Sequence, residues 1–77
     1  MLYKTIILDL IQETHPALYR RLRLSRTLPR ELDRYAADLR TAHLRWIEQG
    51  TEPGAARELA LQELDERLAR EAARYET

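Results

Sequence analysis

Residues 28–47, LPRELDRYAADLRTAHLRWI, decide the fold. Leu28, Leu32, Tyr35, Leu39, Ala42 and Trp46 follow one another at spacings of 4, 3, 4, 3 and 4. That is an unbroken a/d seam along one side of an α-helix. Ala36, His43 and Ile47 widen the seam on one flank. Thr27 stands where an N-cap belongs and Gly50 where a C′ glycine ends a helix, so the helix is predicted over 28–49.

Moving toward the C-terminus, Gly50-Thr51-Glu52-Pro53-Gly54 is the clearest turn in the chain. A further helix is expected over 52–76, with Thr51 as its cap. Its apolar face is Ala56, Ala60, Leu61, Leu64, Leu68, Ala72 and Tyr75. The alanines permit close approach of a neighbouring helix. Glu63/Arg67 and Glu66/Arg70 are i,i+4 pairs in the favourable order. Two long amphipathic helices joined by a tight turn make an antiparallel hairpin. Its core is expected to hold the six seam residues together with Leu61, Leu64 and Leu68.

Toward the N-terminus, Tyr3, Ile6, Ile7, Leu10 and Ile11 recur at helical spacing and predict a helix over 2–13. The β-branched Thr5, Ile6 and Ile7 make a short strand over 3–8 the alternative. Thr14-His15-Pro16 breaks the pattern, and Pro16 suits the first turn of a new helix over 16–26 capped by Thr14 or His15. That helix is expected to bury Leu18 and Leu22. The whole is therefore read as one all-α domain over 1–77, a small bundle of three or four helices built on the hairpin.

The first helix is apolar over a wide arc: Leu2, Tyr3, Ile6, Ile7, Leu8, Leu10 and Ile11. A single hairpin is not expected to cover all of it, which points to an interface. Size argues the same way. A chain below ~80 residues seldom builds a core worth more than ~3–5 kcal/mol without disulfides, a metal or association. This one has 77 residues and no cysteine. A homo-oligomer or a partner protein is the expected support.

The N-terminal run has no basic segment before a long apolar stretch, and Asp9 interrupts it, so a signal peptide is not expected. No run approaches the ~18–20 apolar residues of a membrane span, and the expected location is the cytoplasm, with no membrane partner. Net charge is zero but segregated. Residues 1–19 carry −1, residues 20–47 carry +5 and residues 48–77 carry −4. Of the 13 basic residues only Lys4 is lysine, a bias that GC-rich coding would also produce.

Catalytic signatures are missing from the sequence. His15 and His43 do not stand at metal-ligand spacing. Ser25 lacks a Gly-x-Ser-x-Gly setting. Asp65 and Glu66 read as members of a solvated, charge-laced helix face. The two glycines share one turn, so there is no phosphate loop. Neither a cofactor nor an enzymatic activity is expected.

The sharpest functional lead is Tyr19-Arg20-Arg21-Leu22-Arg23-Leu24-Ser25-Arg26, four arginines beside a tyrosine. Arg30, Arg34 and Arg45 extend the charge along the next helix. The arginine fork matches phosphate oxygens, and tyrosine stacks on bases. DNA or RNA is one ligand class for this set. The competing reading pairs these arginines with Glu58, Glu63, Asp65, Glu66 and Glu71 of the acidic last helix. A helix-turn-helix over 16–26 and 29–47 fits less well, because the turn has no glycine and the second helix is too long and apolar. The leading expectation is a non-enzymatic scaffold or accessory subunit that oligomerises or docks on a larger protein. Nucleic-acid contact through Tyr19, Arg20, Arg21, Arg23, Arg26, Arg30, Arg34 and Arg45 is the alternative.

Overall fold

The structure, a computed structural model, describes residues 2–75, without the side chain of Leu2. Among these residues the chain is four helices: α1 (Leu2–Thr14), α2 (Pro16–Leu24), α3 (Leu28–Glu48) and α4 (Pro53–Ala73). The fold is the expected all-α bundle. α3 and α4 form the antiparallel hairpin and pack most extensively, followed by α1 on α3. Residues 3–8 are helical, so the strand alternative is not taken.

Pattern and caps explain the boundaries, with corrections at the end of α2 and at the caps of α2, α3 and α4. Pro16, Pro29 and Pro53 sit in the first turns of α2, α3 and α4, where a missing N–H costs nothing. Gly50 adopts φ 92°, and Thr51 N–H reaches back to Trp46 O, closing α3 as expected. α2 ends two residues before the expected position. Arg26 takes the left-handed conformation at φ 61°, and Thr27 N–H bonds Leu22 O. Here an arginine does what glycine usually does. Another correction concerns α4. Its N-cap is Glu52, whose carboxylate accepts from Ala55 N–H at 3.0 Å, and not Thr51. Thr27 and His15 occupy the cap positions of α3 and α2, but neither side chain caps. Thr27 Oγ1 bonds Ser25 Oγ instead.

The core joins all four helices: Ile7 and Ile11 from α1, Leu18 and Leu22 from α2, Tyr35 and Leu39 from α3, and Ala60, Leu64, Leu68 and Ala72 from α4. Leu28, Leu32, Ala42, Trp46 and Leu61 pack half-buried around it. Ile7 and Ile11 are 0 % exposed. These two are therefore core residues of the single chain, a correction to their expected place on an interface. α1 packs on α3, which Tyr3 reaches through its hydrogen bond to His43, and on α2, while Ile6 and Leu10 line a groove toward α4. Tyr3, Ile6, Leu8 and Leu10 are half-buried, and Leu2 falls outside the described side chains.

Candidate functional site

α2 divides its residues sharply. Leu18 and Leu22, four apart, face the core, where α3 and α4 receive them. The opposite face then carries Leu24, with Arg20 and Arg21 one turn earlier on either side of it. Leu24 is 80 % exposed, the most exposed large apolar residue among those described. Arg23 and Arg26 border the same end of the helix, and Arg30 follows at the start of α3. All five arginines are exposed. Arg21 and Arg23 also occupy the last turn of α2, where cations favour the helix dipole.

What matters about these arginines is their partners. Among the described residues, Arg20, Arg21, Arg23, Arg26 and Arg30 have no carboxylate within ion-pair distance. Two of them lie over tyrosine rings: Arg21 at 5.4 Å from the centroid of Tyr75, and Arg23 at 5.6 Å from that of Tyr19. Such stacking orders a guanidinium without neutralising it.

Two arginines farther along α3, Arg34 and Arg45, behave differently. Arg45 donates to both oxygens of Glu63, at 2.6 and 2.7 Å, and Trp46 Nε1 donates to the same carboxylate at 2.6 Å. These donors, Arg45 first, hold Glu63 below the usual carboxylate range. Arg34 lies near Glu31 and Glu71. So Arg34 and Arg45, expected in the basic surface, are exposed but engaged by carboxylates of the same chain. The expected Glu63/Arg67 pair is also replaced, since Arg67 turns to Asp38 on α3 and to Glu71. Glu66 and Arg70 form no ion pair with each other. Carboxylates of α3 and α4 thus engage Arg34 and Arg45, while the arginines of α2 have none within ion-pair distance among the described residues.

One contributor to the basic end was not visible in the sequence. Arg74 and Tyr75, counted within an acidic segment, line a recess with Leu18, Leu22, Arg34 and Tyr35, whose lining also includes the carboxylates of Glu31 and Glu71. The antiparallel hairpin brings the end of α4 back beside α2 and the start of α3. The only signal for this was the hairpin register itself.

A second surface lies on the far side of α1. Ile6, Leu10 and Leu61 floor a groove of about 480 Å³ between α1 and α4, rimmed by Glu58, Gln62 and Asp65. Helical spacing places Asp9 and Glu13 on the outer flank of Ile6 and Leu10. Among the described residues, Asp9, Glu13 and Glu58 have no cation within ion-pair distance.

The histidines are engaged structurally. His15, 8 % exposed, bonds Asp65 through Nε2 at 2.9 Å. His43 Nε2 faces the Pro53 carbonyl at a long 3.4 Å, and its Nδ1 accepts from the Tyr3 hydroxyl at 3.0 Å. Among the described residues no three His, Cys, Asp or Glu side chains are grouped to hold a metal ion. Among the described residues no helix is long and apolar enough to cross a membrane. Compared with protein-family models, curated proteins and solved structures, the chain matches none.

Proposed function

We propose that this protein is a non-enzymatic interaction module, a scaffold or accessory subunit that oligomerises or docks on a larger protein, meeting an acidic surface through the outer face of α2. One observation carries the reading: an 80 % exposed Leu24 set among arginines that lack carboxylate partners among the described residues. An exposed leucine ringed by cations has the chemistry of an interface anchor with a charged rim. Phosphates would use the arginines and leave Leu24 idle.

Nucleic-acid contact is the second reading, favoured by the stacks of Arg21 on Tyr75 and Arg23 on Tyr19. These arginines are ordered yet still charged, as phosphate binding requires.

Fluorescence anisotropy separates the two. The probes are a labelled amphipathic helical peptide of glutamate and leucine, and short single- and double-stranded DNA and RNA. The first reading expects peptide binding that weakens with salt and is lost in the combined Arg20→Gln, Arg21→Gln, Arg23→Gln variant at unchanged helicity. Leu24→Ser should weaken the peptide about tenfold or more, since burying a leucine contributes ~1.5–3 kcal/mol. Nucleic-acid binding with a log–log salt slope near −0.7 to −0.9 per phosphate, indifferent to Leu24→Ser, would put the second reading in its place. Binding of none of these probes at low salt would end both.

A further inference from the structure

We infer that the acidic surface met by the α2 ridge includes the α1–α4 groove of a second copy of this chain. The inference rests on the reading of α2 as a docking face and names its partner. The two surfaces are complementary in kind. The ridge offers a protruding Leu24 flanked by Arg20 and Arg21. The groove offers an apolar floor of Ile6, Leu10 and Leu61 and an acidic rim that includes Glu58. Its volume of about 480 Å³ leaves ample room for a leucine side chain.

Charge supports the match. Within the chain, the cations and acids at the α3–α4 seam satisfy each other, as Arg45 with Glu63 and Arg67 with Asp38. What remains is a basic end and an acidic flank on a molecule of zero net charge. Segregated charge of this kind attracts unlike surfaces of identical molecules, and salt screens the attraction. The chain cannot satisfy itself, because Leu18 and Leu22 anchor α2 in its own core with Leu24 facing outward.

Ridge and groove are different surfaces, so the contact is heterologous. Repeated, it closes into a ring or grows into an open chain of copies. This geometry has a signature no symmetric dimer shares. A copy with a disabled ridge and a copy with a disabled groove each fail to self-associate, yet together retain one intact ridge and one intact groove.

The test is light scattering on a sizing column, using the full chain over a range of concentrations at low salt. Leu24→Asp disables the ridge, and the combined Glu58→Arg, Gln62→Arg variant disables the groove. All three positions are exposed, so the fold should survive, with circular dichroism as the check. The wild type is expected above monomer mass and to fall toward it as salt rises. Each variant alone is expected at monomer mass, and their equimolar mixture at twice that mass and no more. A wild type that stays monomeric would overturn the inference, as would a mixture that fails to form the dimer. In either event, binding of the glutamate–leucine peptide would still report separately on the docking role of α2.

Discussion

His15 and Asp65 stand fifty positions apart and meet at 2.9 Å, the imidazole Nε2–H donating to the carboxylate. His15 is also the residue between α1 and α2, so this bond fixes the corner where the chain turns and ties it to α4. A hydrogen bond to a charged group contributes ~1.5–3 kcal/mol where it is sheltered. His15→Ala and Asp65→Ala should each destabilise the fold. In a double-mutant cycle by urea denaturation the pair should couple by ~0.5–3 kcal/mol. Strict additivity would show that the bond contributes nothing.

Leu39 and Leu24 make the opposite pair. Leu39 is fully packed in the α3 seam, and Leu39→Ala should cost ~2–5 kcal/mol. In a domain this small that loss approaches the whole stability. Leu24→Ala should stay within ~0.5 kcal/mol, as exposed substitutions do. Melting curves of the two variants check both expectations. A large loss at Leu24 would mean it is packed in the isolated chain.

The hydrogen bonds on Glu63 and Glu52 give the fold an acid limb. Glu63 is held low by Arg45 and then Trp46, and Glu52 by the N–H groups of Ala55 and Gly54. A carboxylate depressed in the folded state adds stability above its unfolded value of ~4.3, and that stability is lost as pH falls through the folded value. Stability should therefore drop below about pH 4.3. Glu63→Gln should flatten part of the drop. Denaturant midpoints measured across the acid range decide it, an unchanged slope in the variant being the contrary result.

Tyr35 sets an alkaline limb of opposite sign. Burial first, and then its 2.5 Å hydrogen bond to Glu71, push its hydroxyl well above the ordinary tyrosine range. The folded state thus keeps this proton longer than the unfolded one. Its contribution is complete below ~10 and declines as pH rises beyond that. Tyr35→Phe should remove that decline, and should cost stability at neutral pH because Glu71 loses a donor. Unfolding midpoints compared between neutral and alkaline buffer provide the check. Parallel alkaline losses in the variant and the wild type would contradict it.

Arg26, at φ 61°, holds a conformation that costs a non-glycine residue ~1–2 kcal/mol. Glycine removes that cost but adds ~0.5–1 kcal/mol of chain entropy, so Arg26→Gly should stabilise by about 0–1.5 kcal/mol net. A rise in melting temperature is expected, together with weaker binding of acidic probes. A fall would show that the Arg26 side chain holds the corner in a way its exposure hides.

The all-α class, the Gly50 stop and the seam from Leu28 to Trp46 were all legible in the sequence. They depend on spacing within one segment, and side chains three or four apart must share a face whatever surrounds them. The segregation of charge was legible for the same reason. Partners were not. Glu63 turns to Arg45 and Trp46 across the hairpin, where several donors converge, in preference to a lone i,i+4 arginine worth ~0.3–0.5 kcal/mol. The width of the apolar arc on α1 could be counted, but what covers Ile7 and Ile11 depends on how α1 packs against the other helices, α3 and α2 above all. Likewise, only the approach of α4 gives Arg45 its partner Glu63 and adds Glu71 to the Glu31 that Arg34 already meets within α3, while Arg20 and Arg23 keep their charge unpaired among the described residues. Periodicity belongs to the chain itself, whereas pairing across a hairpin depends on register and crossing angle, which exist only once the helices have packed.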